Sequence, residues 1–217
     1  MRRSTSVLWA VLATLVLVYG PVSGQEKEPP AKKPLTVEEV IPVLRSEGST
    51  ALQRAADRGE ELFPAFEVIL DDPAKGHRAV GRVFIILGMM KVDRSRFLEP
   101  TLRRMADPTG SIRCDAVEFL ACVGSEKDTG PVAILLLDES VEVRVAAAET
   151  LAKIGSKRDV QVFDMILANA DNYITKDGKP LLPKFDREKY EQRRDELKAR
   201  LKKQEKEKPA AKDEPKK

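Results

Sequence analysis

The chain has 217 residues, 42% of them apolar, with 38 Lys and Arg against 35 Asp and Glu. That length can bury a sizeable core, and so even a charge balance lacks the dense basic stripe of a dedicated nucleic-acid module. One His and two Cys, with no CxxC pair, exclude a zinc site of the usual Cys/His composition.

Residues 1–24 resemble an export signal. Arg2 and Arg3 precede an apolar run from Val7 to Val18, which breaks at Gly20-Pro21 and ends at Val22-Ser23-Gly24. The run is shorter than the roughly 20 residues a spanning helix needs. Cleavage is expected after Gly24, giving a periplasmic or secreted protein; retention as an anchor is the alternative. Residues 25–35 are charged and proline-rich and are expected to be a disordered linker. Residues 184–217 carry 14 basic and 9 acidic groups, whereas residues 25–183 carry 22 and 26. A mildly acidic body therefore bears a basic tail.

Thr36 and Glu39 fit a capping box, with Leu35 and Val40 as its hydrophobic staple. Pro42 predicts a kink or restart in the helix that follows. Residues 49–58 predict a further helix, belonging to a degenerate first unit.

A repeat then takes over. Residues 112–128 (IRCDAVEFLACVGSEKD) and 143–159 (VRVAAAETLAKIGSKRD) lie 31 residues apart. Pro stands seven residues before Asp at Pro64 and Asp71, Pro100 and Asp107, and Pro131 and Asp138, with Val162 and Asn169 in the fourth frame. Between them lies an apolar helix, B, for which Pro suits the first turn. After each Asp come His77, Arg113 or Arg144, then Val80, Ala116 or Ala147, then Phe84, Leu120 or Leu151, then Gly88, Gly124 or Gly155. Spacings of three and four mark an amphipathic helix, A, which Gly is expected to end in the left-handed conformation. The predicted core is Val80, Phe84, Ile112, Ala116, Leu120, Val143, Ala147, Leu151 and Ile154. Cys114 and Cys122, eight apart on one helix, are roughly 12 Å apart, too far for a disulfide, and read as packing residues.

Past Asn169 the frame fails. Residues 170–185, with Asp177-Gly178, Pro180 and Pro183, predict a loop or short hairpin. Residues 186–206 predict a charged helix with Tyr190, Leu197 and Leu201 along one side and Arg194 interrupting them, docked as a cap. Residues 207–217 are expected to be a disordered tail.

The pattern D-x5-R-x2-A-x3-L-x3-G, carried by residues 107–124 and 138–155 and loosely by 71–88, resembles short HEAT-type repeats, especially the bacterial subclass named after phycobilisome lyases. The resemblance covers about residues 60–169. It implies an all-α fold, a right-handed α-solenoid of stacked helix hairpins over residues 36–169, with disordered termini. It also implies structural roles for the repeated Asp and Arg. Repeats of this kind expose extended binding faces.

The expected function is thus an exported, non-catalytic scaffold binding a protein or peptide in the bacterial cell envelope. No catalytic set, cofactor site or metal site is expected; Asp171-Asn172 and Asp177-Gly178 lack the spacing of a calcium loop. Arg103 and Arg104, on the second B helix, are the expected contacts for an acidic partner surface. No nucleic acid is expected, and membrane contact only through the export signal or a weak, salt-screened attraction of the tail. The alternative is a lyase-like enzyme or accessory subunit. Bilin lyases that resemble these repeats are usually cytoplasmic, and seven Phe, three Tyr and one Trp supply a tetrapyrrole pocket poorly.

Overall fold

A computed structural model describes residues 33–45, 48–72 and 77–207. The expected signal peptide, most of the linker and the tail from residue 208 lie outside the described residues. Among those residues the fold is all-α. Its helices are α1 (Val37–Arg45), α2 (Ser49–Ala56), α3 (Phe63–Asp71), α4 (His77–Met89), α5 (Leu98–Arg104), α6 (Gly110–Val123), α7 (Thr129–Ile134), α8 (Val141–Ile154), α9 (Lys157–Ala168) and α10 (Lys184–Glu207).

The helices form two rows. Each odd-numbered helix packs on the next even-numbered one, as a hairpin, and α2, α4, α6, α8 and α10 pack in succession. In the other row α1 packs on α3, α3 on α5 and α7 on α9, whereas α5 and α7 lack comparable packing. This missing contact leaves the surface described below.

Local chemistry explains the helix ends. The Thr36 N–H donates to Glu39 Oε2 at 2.8 Å and the Glu39 N–H to Thr36 Oγ1 at 3.4 Å, which closes the capping box. Leu35, the last residue of the expected linker, donates its N–H to the Glu61 carbonyl at 2.9 Å. Pro42 does not restart the helix: α1 is assigned without a break from Val37 to Arg45. Buried Val40 and Leu44 on either side hold the helix against the core, and this packing outweighs the hydrogen bond that Pro lacks.

Of the predicted core, Val80, Phe84, Ile112, Ala116, Leu120, Val143, Ala147 and Leu151 are all buried. Ile154, in the last turn of α8, is only partly buried. Ala116 of α6 and Ala147 of α8 are fully buried, and these two helices pack against each other. The Thr150 hydroxyl bridges the same pair, donating to the Val117 carbonyl at 3.0 Å.

The glycines depart from the expectation. Gly88 lies inside α4. Gly124 (φ −85°, ψ 175°) and Gly155 (φ −64°, ψ 166°) are extended rather than left-handed. What Gly155 supplies is space: a Cβ there would collide with the Leu151 carbonyl oxygen and lie 3.2 Å from Leu197 of α10.

Residues 170–183 include a short hairpin. Leu181 N–H donates to the Tyr173 carbonyl and Thr175 N–H to the Lys179 carbonyl, both at 2.8 Å, and Gly178 turns the chain at φ +74°. Helix α10 starts at Lys184, two residues earlier than expected, and lies along α8 and α9. Tyr190 and Leu197 are buried there, with the Tyr190 ring edge-on to Phe163 at 5.7 Å. Arg194 does not break this seam, because it reaches sideways to Asp164 at 3.1 Å.

Candidate binding surface

The repeated Asp and Arg residues form internal rungs. Arg113 Nη1 donates to the carbonyls of Asp107 (2.9 Å) and Pro108 (3.1 Å) in the loop before its own helix. Its Nε and Nη2 donate to the two carboxylate oxygens of Asp138, both at 2.8 Å. This paired geometry joins one unit to the next and is the strong form of an Arg–carboxylate contact. The Asp138 hydrogen bonds push the Arg113 guanidinium further above its ordinary range. Asp138 also accepts from the Ser140 N–H, as Asp107 does from Thr109, so each Asp sets the turn into the following A helix.

Arg144 repeats the first half of the rung, Nη1 donating to the carbonyls of Asp138 (3.0 Å) and Glu139 (3.2 Å). The frame offers Asn169 where a carboxylate is needed. The carboxylate instead comes from Asp186, in the first turn of α10, accepting from Arg144 Nη2 at 2.7 Å. Arg144 and Asp186 are both buried, and Arg144 Nε has no partner.

Arg103 and Arg104 do not form one basic patch. Arg103 is exposed and paired with Asp71. Arg104 is 6% exposed. Its Nε donates to the Leu70 carbonyl (2.7 Å), its Nη2 to the carbonyls of Ile69 (3.2 Å) and Asp72 (2.9 Å), and its Nη1 to Asp107 (2.9 Å). It thus holds the C-terminal end of α3, where the helix dipole favours a cation, and is removed from the expected partner-contact residues. Adjacent residues on a helix point about 100° apart, so one of the two faces outward and the other inward.

The exposed surface that does stand out lies in the odd-numbered row. A groove of about 620 Å³ separates α5 from α7, between Leu102, Met105 and Ala106 on one side and Pro131, Ile134 and Leu135 on the other. A second, of about 880 Å³, runs between α7 and α9, lined by Ala133, Ile134, Leu137, Val162, Met165 and Ile166. Ile134, common to both, is 75% exposed, and Met165 is 56% exposed. The sequence carried a signal for this: residues 132–137 read VAILLL, more consecutive apolar positions than one helical face can bury.

A smaller groove between α4 and α6 holds Asp115, Glu118 and Cys122. Burial, then the Glu118 charge, raises the Asp115 carboxyl above its ordinary 3.8. Burial, followed by Glu118 and Asp115, pushes the Cys114 thiol up to about 12. Cys114 therefore stays protonated near neutrality and is a poor nucleophile. Both cysteines are free, and Cys122 is exposed. Among the described residues no group of three His, Cys, Asp or Glu side chains is placed to hold a metal ion, and no helix is long and apolar enough to cross a membrane.

No protein-family model matches the chain, and no curated protein matches it.

Proposed function

We propose that the chain is an exported, non-catalytic scaffold of the bacterial cell envelope that binds a protein or peptide through its α5–α7–α9 row. Its architecture in this reading is a right-handed α-solenoid of HEAT-like hairpins. The Arg–carboxylate rungs supported by Arg113 and Arg144, 31 residues apart, favour such a repeat. Export rests on Arg2, Arg3, the apolar run and the Val22-Ser23-Gly24 end.

The observation that carries the binding reading is the pair of apolar grooves flanking Ile134. A lone exposed aliphatic residue means little, but two adjoining grooves with apolar walls form a continuous patch of the kind that marks an interaction site. The even-numbered row has its repeat positions filled by mutual packing, and the guanidiniums of Arg104, Arg113 and Arg144 are committed to backbone and carboxylates inside the fold.

The test is affinity capture from native envelope extract, using wild type, Ile134→Asp/Met165→Asp and Arg103→Glu. A specific partner should be lost with the double variant and kept with Arg103→Glu, while circular dichroism stays unchanged. Capture that survives the double variant overturns the assignment of the surface. Turnover of a small substrate by the purified chain overturns the scaffold reading, and secreted protein that begins at Met1 overturns cleavage after Gly24.

A further inference from the structure

The chain leaving α10 emerges at the mouth of the α7–α9 groove. Glu126, Lys127, Ser156 and Arg158 line the groove at the N-terminal ends of these two helices. The same four residues line an adjoining hollow of about 500 Å³, to which α10 contributes Leu201, Gln204 and Glu205. Lys157, at the start of α9, pairs with Glu205 at 2.5 Å and so holds the last turn of α10 beside this opening.

After Glu207 the sequence continues as KPAAKDEPKK, residues 208–217. At about 3.3 Å per extended residue this segment reaches about 33 Å. The rise of α9 from Arg158 to Ile166 is only about 12 Å, so the segment is long enough to run the groove. Its apolar part, Pro209-Ala210-Ala211, follows at once after Lys208. Beyond the mouth the groove has an apolar floor of half-buried Ala133, Leu137 and Val162, with Ile134 and Met165 exposed beside it. Small side chains and the fixed φ of Pro lose little entropy when laid on such a floor. Charge at the mouth has both signs: Glu126, Lys127 and Arg158 are all exposed, whereas Asp159 is buried and accepts from Ser156 and Thr129. The mouth therefore favours neither an acidic nor a basic segment, and residues 208–217 mix lysines with Asp213 and Glu214. Being tethered, the segment is present at an effective concentration of about 1 mM, so a contact too weak for a free peptide suffices.

We infer that residues 208–217 fold back into the α7–α9 groove, with Pro209, Ala210 and Ala211 on its apolar floor. Resting on the scaffold reading above, this makes the segment an intramolecular occupant that a partner must displace. The partner's apparent affinity then falls with the fraction of chains whose groove is covered.

The experiment uses the full chain labelled with ¹³C at the methionine methyls and reads their NMR signals. Met165, exposed beside the groove floor, is the reporter, and Met105, buried near the other groove, is the control. Met165→Leu assigns the reporter signal. Ala210→Asp/Ala211→Asp, which puts charge on the segment and touches nothing in the helical body, should shift the Met165 signal and leave Met105 unmoved. A synthetic peptide of residues 208–217 added to that variant should bring the Met165 signal back to its wild-type position, with half-saturation at or below about 1 mM, because a weaker segment would leave the groove mostly empty. Circular dichroism checks that the variants fold. A Met165 signal that is the same in wild type and variant, or a peptide without effect at several millimolar, overturns the inference. So does a wild-type signal that moves to the variant position on dilution, which would seat the segment of a second copy in the groove. If Met165 ignores the segment while native capture still depends on Ile134 and Met165, the strap is excluded and the scaffold reading stands. If the segment covers Met165 but capture is indifferent to both residues, the strap stands and the scaffold reading fails.

Discussion

Replacing Asp186 with Ala should destabilise the protein by about 3–5 kcal/mol, the usual consequence of removing one partner from a buried ion pair. The side chains of Arg144 and Asp186 are 4% and 3% exposed, with a single hydrogen bond of 2.7 Å between them. After the substitution the cation keeps its two carbonyl acceptors through Nη1, but Nη2 joins Nε in having none. A lost charge-assisted hydrogen bond accounts for about 1.5–3 kcal/mol, and the unpaired buried charge adds the remainder. Against a typical domain stability of about 5–15 kcal/mol the effect is large. It should first be felt in α10, whose remaining ties to the body include Leu197 packing, Arg200 and the Tyr190 hydroxyl, which donates to the Leu136 carbonyl at 2.5 Å. Urea unfolding followed by circular dichroism measures the loss, and limited proteolysis should cut within residues 184–207 before the rest. The double substitution Arg144→Met/Asp186→Leu should recover most of the stability, since no charge is then left buried and unpaired. A cost below about 1 kcal/mol for Asp186→Ala, or a double variant less stable than the single, refutes the reasoning.

Leu151→Ala, at a fully buried position between α8 and its neighbours, should lower the unfolding free energy by about 2–5 kcal/mol, read as a shifted urea midpoint with unchanged slope. Arg104→Ala should cost about 3 kcal/mol, because it strips three backbone carbonyls and Asp107 of their donor. Arg103→Ala, whose ion pair is half exposed on both sides, should cost less than about 1 kcal/mol; similar losses for the two would contradict the inward and outward assignment. Asp115 has its folded-state carboxyl raised above 3.8, first by burial and then by Glu118. For an acid shifted in that direction there is no penalty below pH 3.8. As pH rises from there through the folded-state value, the fold loses stability relative to the unfolded chain. Asp115→Asn should therefore melt higher than wild type at about pH 7, by a margin that narrows as pH falls toward 3.8; a margin independent of pH would contradict this.

The chain by itself determined the helical units. Spacings of three and four place Ala116, Leu120, Ala147 and Leu151 on one helical face, and such a face can only be satisfied by burial. The capping box at Thr36 and Glu39 was legible for a similar reason, since both partners lie within one turn of helix. What tertiary structure alone decided involves residues distant in sequence or rotated about an axis. Arg103 and Arg104 are equivalent cations in the sequence, and only the position of the α3 carbonyls turns Arg104 inward. Asn169 breaks the repeat in sequence, yet Asp186, 42 residues from Arg144, restores its rung because α10 folds back along α8. Gly124 and Gly155 were recognisable as helix ends, but their extended conformation was not, nor was the close approach of Leu197 to Gly155. The grooves around Ile134 were foreshadowed only by an excess of apolar residues in 132–137. That α7 would stand away from α5 while packing on α9 depends on the packing of neighbouring hairpins, which no local pattern encodes.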